Sequence, residues 1–131
     1  MAENKTILAI DDDPVTLKIL SNFLIPAYDI ITSRSAADAT IKMSKKLPDL
    51  ILLDIDMPDI SGFEFLHTIK KNPRFMRIPV LIVSGHSGDE FVSHAEKYGA
   101  SGLIAKPIDK EDFFQKIEYA FAHPVKSFFG L

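Results

Sequence analysis

Short apolar runs alternate with amphipathic segments along nearly the whole chain. Five runs are rich in aliphatic residues and end at polar or turn residues: TILAI, YDIIT, DLILLD, IPVLIVSG and GLIAKP. Runs of this kind are typical of strands that are buried on both faces of a parallel sheet. The pattern therefore predicts five strands, the first two at Thr6–Ile10 and Tyr28–Thr32.

Helix start and stop signals separate these runs. Asp13 before Pro14, Ser35 three residues before Asp38, and Asp109 are predicted N-caps. The first four predicted helices end near Pro26, Leu47, Asn72-Pro73 and Gly99. The residues predicted to face inward are Val15, Ile19, Leu20 and Phe23 on the first helix, Phe63, Leu66 and Ile69 on the third, and Phe113, Ile117, Ala120 and Phe121 on the last. Strict alternation of strand and helix predicts one α/β domain, a (βα)5 doubly wound parallel five-stranded sheet.

Composition and charge narrow the class of protein. The 131 residues suit one domain, and a hydrophobic content of 47% is enough for a sizeable core. A net charge of −3 and the lack of a basic recognition helix argue against direct binding of nucleic acid. The chain has no Cys, no apolar run of membrane-spanning length and an early charged residue where a signal peptide would be apolar. We therefore expect a compact, soluble, cytoplasmic domain.

Polar residues stand where four of the predicted strands end. Asp11 and Asp12 close the first strand, Asp54 the third, Ser84 the fourth and Lys106 the fifth. Asp11, Asp12, Ser84 and Lys106 each have an ordinary explanation as a loop, turn or surface residue. Asp54 is harder to explain in this way, because the run LILL before it should be buried. In an open parallel sheet, however, the carboxyl ends of the strands lie along one edge, where ligands bind. We therefore predict that these five side chains form one site.

The chemistry of this set indicates a place for a phosphoryl group. Two carboxylates ~4 Å apart repel by about 1 kcal/mol in water and about 4 kcal/mol near a protein surface, so clustered acids favour a bound cation. Oxygen ligands without Cys or His suit Mg²⁺, which also accepts phosphate oxygens in its shell. A lysine and a hydroxyl would hold the remaining phosphate oxygens. Asp54 is then the predicted nucleophile, with Asp11 and Asp12 as metal ligands and a backbone carbonyl of the DIDMP loop completing the shell.

These motifs resemble those of the receiver domains of two-component response regulators, the CheY-like family. The matching segments are IDDDP after the first strand, LLDIDMPDISG around the end of the third, VSG after the fourth and KP after the fifth. The resemblance covers about Lys5 to Ala122, so we predict a receiver domain over 1–122 and a C-terminal tail over 123–131. It implies a flavodoxin-like strand order of 2-1-3-4-5 and a cis peptide bond between Lys106 and Pro107.

The resemblance implies a phosphoacceptor switch, not an enzyme that turns over a substrate of its own. A phosphohistidine of a sensor histidine kinase or of a histidine phosphotransfer protein would donate its phosphoryl group to Asp54 with Mg²⁺ bound, and Mn²⁺ could replace Mg²⁺. The implied metal ligands are Asp12 directly, Asp11 through water, Asp54 before phosphorylation and Asp56 through its backbone carbonyl, and the implied phosphoryl ligands are Ser84 and Lys106.

The implied output is a change in the face formed by the fourth helix, the fifth strand and the fifth helix. That face would bind a downstream protein target or form a homodimer. Leu103 stands where many family members have Tyr or Phe, so we expect coupling through the backbone in place of an aromatic switch. Asp56 and His86 lie two residues after Asp54 and Ser84, and we hypothesise that they alter the rate of autodephosphorylation.

Two alternatives remain open at this point. The LLDIDMP segment also resembles the nucleophile motif of haloacid-dehalogenase-type phosphatases, although it follows the third strand instead of the first and leaves no room for a cap domain. A pseudo-receiver would keep the fold without phosphotransfer, although all five site positions are intact. Phe114 and Tyr119 are expected to be exposed on the last helix, and the tail residues Phe128 and Phe129 could pack on the domain, bind a partner or begin a linker.

Overall fold

Strands and helices alternate in the computed structural model, which describes residues 4–123. The strands are β1 (Thr6–Ile10), β2 (Asp29–Ser33), β3 (Leu50–Leu53), β4 (Val80–Ser84) and β5 (Gly102–Ala105). The helices are α1 (Pro14–Leu24), α2 (Ala36–Lys45), α3 (Gly62–Lys71), α4 (Asp89–Lys97) and α5 (Lys110–Ala122). All strand pairs are parallel, in the order β2-β1-β3-β4-β5. The predicted doubly wound sheet with its flavodoxin-like order is confirmed.

Side-chain caps begin four of the helices. Each cap accepts a hydrogen bond from a backbone N–H of the first turn, and the caps are Asp13, Ser35, Ser61 and Asp109. Three of them are the predicted caps. Helix α4 instead lies between Gly88 at φ +102° and Gly99 at φ +96°, which is the left-handed region that glycine adopts without strain.

The sheet lies between two hydrophobic layers, because successive residues of a strand face opposite sides. One layer joins Leu8, Ile10, Ile51, Leu53, Val80 and Ile82 to the inner faces of α2, α3 and α4. The other joins Ile7, Ala9, Leu50, Leu52, Leu81 and Val83 to the inner faces of α1 and α5. Every residue of β1, β3 and β4 is buried, as the uninterrupted apolar runs predict.

The predicted inner face of α1 is partly wrong. Val15 and Ile19 are 64% and 41% exposed, and the buried residues of the helix are Leu17, Leu20 and Leu24. Spacings of three and four residues place these leucines on one side of the helix. Val15 and Ile19 lie about half a turn away from Leu17, so they point away from the sheet.

Aromatic residues on two other helices also differ from the prediction. On α3, Phe65 faces the core, whereas Phe63 is half-buried and packs against rings of α4. On α5, Phe114 and Tyr119 are half-buried, not exposed, because each packs against a neighbouring ring. The Phe63 ring reaches an adjacent helix, and the two α5 rings contact rings close to them in sequence, so helical spacing alone does not decide how exposed an aromatic side chain is.

Smaller differences concern element ends. Strand β2 begins and ends one residue later than predicted because Thr6 pairs with Asp29. Helix α2 ends at Lys45, and Leu47 beyond it is 43% exposed. Phe128 and Phe129 lie outside the described residues. Among residues 4–123, none of the helices is both long and apolar enough to cross a membrane.

Candidate functional site

Three carboxylates converge at the carboxyl edge of the sheet. Asp11 and Asp12 follow β1, Asp54 follows β3, and one carboxylate oxygen from each lies within 4.8 Å of the others. The pairing of β1 with β3 continues to this point, since the Asp54 N–H donates to the Ile10 carbonyl at 2.9 Å. Asp11 and Asp54 are only 2% and 5% exposed, whereas Asp12 is exposed. The sequence prediction that these acids meet is confirmed.

Lys106 faces the acids from the end of β5. Its Nζ donates to Asp11 Oδ2 at 3.1 Å and lies 3.8 Å from Asp54 Oδ1. The Lys106–Pro107 peptide bond is cis, as the resemblance implies. Burial lowers the pKa of Lys106, but the hydrogen bond and charge of Asp11, with the charge of Asp54, outweigh it and raise the pKa. The ammonium is therefore charged at neutral pH.

Asp54 is an electrostatically strained carboxylate. Burial is the main cause that raises its pKa to about 6, and the negative charge of Asp11 adds to it. Lys106 acts in the opposite direction but does not cancel these effects. Three acids face one lysine, so the site carries surplus negative charge and oxygen donors that suit a hard divalent cation.

Ser84 lies in the same edge at the end of β4. It is 1% exposed, and its register partner on β5 is Ala105, the residue before Lys106. The Lys106 N–H donates to the Ser84 carbonyl at 3.0 Å, which ties the two strand ends together. The Ser84 hydroxyl oxygen accepts a hydrogen bond from the His86 N–H at 3.0 Å. All five predicted side chains thus stand at the carboxyl ends of β1, β3, β4 and β5.

Asp56 and His86 pair across two loops, which sequence spacing did not predict. Asp56 lies between β3 and α3, and its side chain is exposed. His86 lies between β4 and α4, and its Nε2 is 3.0 Å from Asp56 Oδ2. The sequence marks each of them only individually, as a residue near the acceptor or the hydroxyl. The contact joins the loops that follow the two central strands of the site.

Gly62 sets the path of the loop between β3 and α3. A Cβ at this position would lie 2.6 Å from both the Asp54 carbonyl oxygen and Ile55 Cα, which is closer than such atoms approach. The Gly62 N–H donates to the Ile55 carbonyl at 2.8 Å. Only glycine lets α3 begin this close to the residues that carry the acceptor.

Two polar contacts that sequence reasoning missed also hold the site loops. The Asp59 carboxylate accepts from the N–H groups of Ala36 and Ala37, so it caps α2 from a distant loop. Arg34 donates from Nε and one Nη to the Asp12 carbonyl at 3.1 and 2.9 Å. A signal for Asp59 was present in the acid-rich DIDMPD segment, but its partner lies 23 residues away along the chain.

Comparison with known proteins agrees with this geometry. A family model of the response regulator receiver domain matches residues 7–118. A "Probable cyclic di-GMP phosphodiesterase" of Vibrio cholerae is 37% identical over 103 residues, which cover 79% of this chain and 23% of that protein. The nitrate/nitrite response regulator protein NarL of Escherichia coli is 36% identical over 123 residues, which cover 92% of this chain and 56% of NarL.

The chain is also similar in fold to a solved structure of a response regulator. The chemotaxis response regulator CheY4 of Vibrio cholerae matches with a TM-score of 0.84 at 25% identity, over 89% of this chain and 98% of that one. The chain spans about a quarter of the length of the phosphodiesterase and about half of NarL. The family match decides against the haloacid-dehalogenase alternative, and the division between domain and tail at residue 122 stays a prediction. The chain belongs to the response regulator receiver domain family, whose members act as phosphoacceptor signalling switches.

Proposed function

We propose that Asp54 of this chain accepts a phosphoryl group from a phosphohistidine of a sensor histidine kinase or a histidine phosphotransfer protein. The observation that carries the proposal is the placement of a buried Asp54 carboxylate between two further acids and the ammonium of Lys106. Membership of the family supports a kinase and a downstream effector as partners.

The transfer uses groups that already stand at the site. An Asp54 carboxylate oxygen attacks phosphorus, the P–N bond of the phosphohistidine breaks, and the departing imidazole nitrogen keeps the bonding electrons and takes up a proton. Lys106 stays charged and faces the oxygens of the transferred group. Ser84 turns its hydroxyl so that it donates to one of those oxygens. Water later hydrolyses the acyl phosphate, which returns Asp54 to a carboxylate and releases phosphate.

A divalent cation fits the acidic cluster. Receiver domains typically bind Mg²⁺ at an acidic pocket, and three carboxylate oxygens within 4.8 Å of one another match that preference. Here Asp12 and Asp54 would bind Mg²⁺, or Mn²⁺ in its place, directly, Asp11 would bind it through water, and Asp56 through its backbone carbonyl. When bound, the cation supplies positive charge that offsets the charge of the phosphoryl oxygens.

The output is proposed to be binding of a downstream protein, or of a second copy of the chain, by the face of α4, β5 and α5. Leu103 in β5 is half-buried and has no aromatic ring, so coupling to this face passes through the loop after β4. We place the protein in the cytoplasm, where sensor kinases present their phosphohistidines. We propose neither nucleic acid nor a membrane as a direct ligand of this domain.

Intact-mass spectrometry tests the proposal. The protein is incubated with phosphoramidate or acetyl phosphate and Mg²⁺, and the wild-type chain is expected to gain one phosphate. Asp54→Asn is expected to gain none. Asp29→Asn is the matched control, because Asp29 is an exposed acid at the opposite edge of the sheet, and it should behave like the wild type. A wild-type chain that gains no phosphate would support the pseudo-receiver alternative.

Asp56 and His86 are proposed to set the lifetime of the phosphoryl group. Their side chains are exposed and pair at 3.0 Å, and they belong to the loops that follow Asp54 and Ser84. Asp56→Asn and His86→Ala are therefore expected to change the rate at which phosphate is lost after the donor is removed. Decay rates equal to that of the wild type in both variants would contradict this role.

A further inference from the structure

His86 links the site to a set of aromatic side chains on α3 and α4. Its backbone N–H donates to the Ser84 hydroxyl oxygen, and its side chain contacts Asp56 on the neighbouring loop. On its other side the imidazole lies against Phe91, with ring centroids 5.5 Å apart and planes tilted by 32°. His86 therefore contacts the phosphorylation site through its backbone and α4 through its ring.

Ring contacts continue from Phe91 along the groove between α3 and α4. Phe91 and Phe63 have centroids 5.5 Å apart. Phe63 then contacts His94 at 4.7 Å, edge to face, and Tyr98 at 5.8 Å. We call the five residues His86, Phe91, Phe63, His94 and Tyr98 the aromatic row. It extends from the loop after β4 to Tyr98, the C-cap residue of α4.

His67 extends this contact onto α3. Its ring meets the Tyr98 ring edge to face at 5.7 Å. The rings thus bridge the two helices at both ends, through Phe63 near the site and through His67 far from it. Shallow clefts lie on either side of Phe63, and the aromatic row and His67 line them. A shift of one ring would change the shape of that surface, since packed rings move between discrete arrangements.

Residue 103 in β5 is leucine. An aromatic ring at this position could move together with Ser84 and change the α4–β5–α5 face, but leucine carries no ring. The aromatic row begins two residues after Ser84 and runs to the opposite side of α4. It is a continuous set of contacts from the site to the surface, and it does not involve β5.

We propose that phosphorylation of Asp54 is transmitted through the aromatic row to the groove between α3 and α4. The conformation of this groove then depends on whether Asp54 is phosphorylated. The inference rests on the proposed phosphoacceptor function. A phosphoryl group on Asp54 would draw the Ser84 hydroxyl toward it and away from the His86 N–H. The loop and the His86 ring then move, and Phe91 and Phe63 repack in turn. Phe91 and Phe63 act as positioning residues and do not contact the reacting atoms.

The test measures NMR signals of the distal rings before and after phosphorylation. The imidazole signals of His67 and His94 are recorded with Mg²⁺ alone and then with phosphoramidate, in the wild type, Phe91→Leu, Phe91→Tyr and Phe75→Leu. Phe75→Leu is the matched control, because Phe75 packs on the same core layer but does not belong to the aromatic row. Intact mass gives the phosphorylated fraction of every sample, so the shifts are compared at equal phosphorylation.

Phosphorylation is expected to shift the His67 and His94 signals in the wild type, Phe91→Tyr and Phe75→Leu. In Phe91→Leu the shifts are expected to fall by at least about twofold, although the variant gains the same phosphate. Phosphorylated wild type with unmoved His94 and His67 signals would overturn the inference and leave the phosphoacceptor function standing. Equal shifts in Phe91→Leu and the wild type would do the same. A wild type that gains no phosphate would overturn both.

Discussion

The substitution Asp54→Asn is expected to stabilise the metal-free protein. Asparagine keeps the size of the side chain and removes the charge that burial and Asp11 disfavour. The pKa of Asp54 rises from an ordinary 3.8 to about 6, and this shift already includes the attraction of Lys106. A difference of roughly two pH units, at about 1.4 kcal/mol each, makes the charged form cost ~3 kcal/mol of folding free energy at pH 7. The free energy of unfolding of the variant should therefore exceed that of the wild type by most of this ~3 kcal/mol.

The pH dependence of the gain has a definite sign. A carboxyl whose pKa is higher in the folded state binds more protons when folded, so its contribution to stability falls as pH rises from about 4 to about 6. Below that window Asp54 is protonated in both states, and replacing it with asparagine offers no advantage in charge. The difference between variant and wild type should therefore be near zero at pH 3.5 and reach its full size above pH 6.

Urea unfolding followed by circular dichroism measures this difference. Both proteins are compared in EDTA at pH 3.5, 5 and 7, with Asp29→Asn as the control for the loss of an exposed acid. Added Mg²⁺ should raise the midpoint of the wild type more than that of Asp54→Asn, because the cation removes the same repulsion. The reasoning would be refuted by an Asp54→Asn protein that is less stable than wild type in EDTA at pH 7. A gain in stability at pH 3.5 as large as the gain at pH 7 would refute it as well.

Three further changes test the structure around the site. Gly62→Ala forces a Cβ to within 2.6 Å of the Asp54 carbonyl oxygen, so a loss of at least ~2 kcal/mol is expected in urea unfolding. Asp59→Ala removes the acceptor for two N–H groups at the start of α2; since these bonds lower the pKa of Asp59, its deficit in melting temperature should be present at pH 7 and shrink as the pH falls through that lowered pKa. Phe113→Ala empties a fully buried site between α1 and α5 and should cost about 3–5 kcal/mol, read from the same urea titration.

The sheet and the site were predictable because burial on both faces leaves a plain record in the sequence. A strand such as Leu50–Leu53 has no polar residue until it reaches the edge, and there Asp54 marks its end. In β1 the residues from Ile7 to Ile10 are likewise apolar, and Asp11 follows them. Once the order of strands is fixed, the residues that follow them must be neighbours, so the site followed from strand ends alone.

Helix faces were less predictable because apolar side chains on a helix have more than one place to pack. Val15 and Ile19 fit a helical stripe as well as Leu17 and Leu20 do, and only the tertiary structure decides which set meets the sheet. Phe63 fits a core position by spacing but packs against α4. Helix propensity and hydrophobic periodicity predict that a segment is helical, whereas packing against the sheet decides which side of the helix is buried.

Contacts between loops were not predictable from the residues at all. His86 and Asp56 are 30 positions apart, and each lies in a loop whose path depends on the glycines and caps around it. Neither residue carries a local signal that names its partner. Such pairs become visible only after the fold has placed the two loops side by side.

The charge of the site connects the destabilised Asp54 carboxylate with the proposed phosphoacceptor switch. Three acids and one lysine already leave the pocket negative, and a phosphoryl group on Asp54 adds further charge where Lys106 is the one cation among the described site residues. Lys106 already donates to Asp11, so the phosphoryl oxygens would also need the proposed divalent cation and a further hydrogen-bond donor. Ser84 carries a hydroxyl at the end of the neighbouring strand β4, and its oxygen accepts a hydrogen bond from the His86 N–H. A movement of the Ser84 side chain toward a phosphoryl group on Asp54 would therefore change its contact with His86 and so act on the loop that leads to α4.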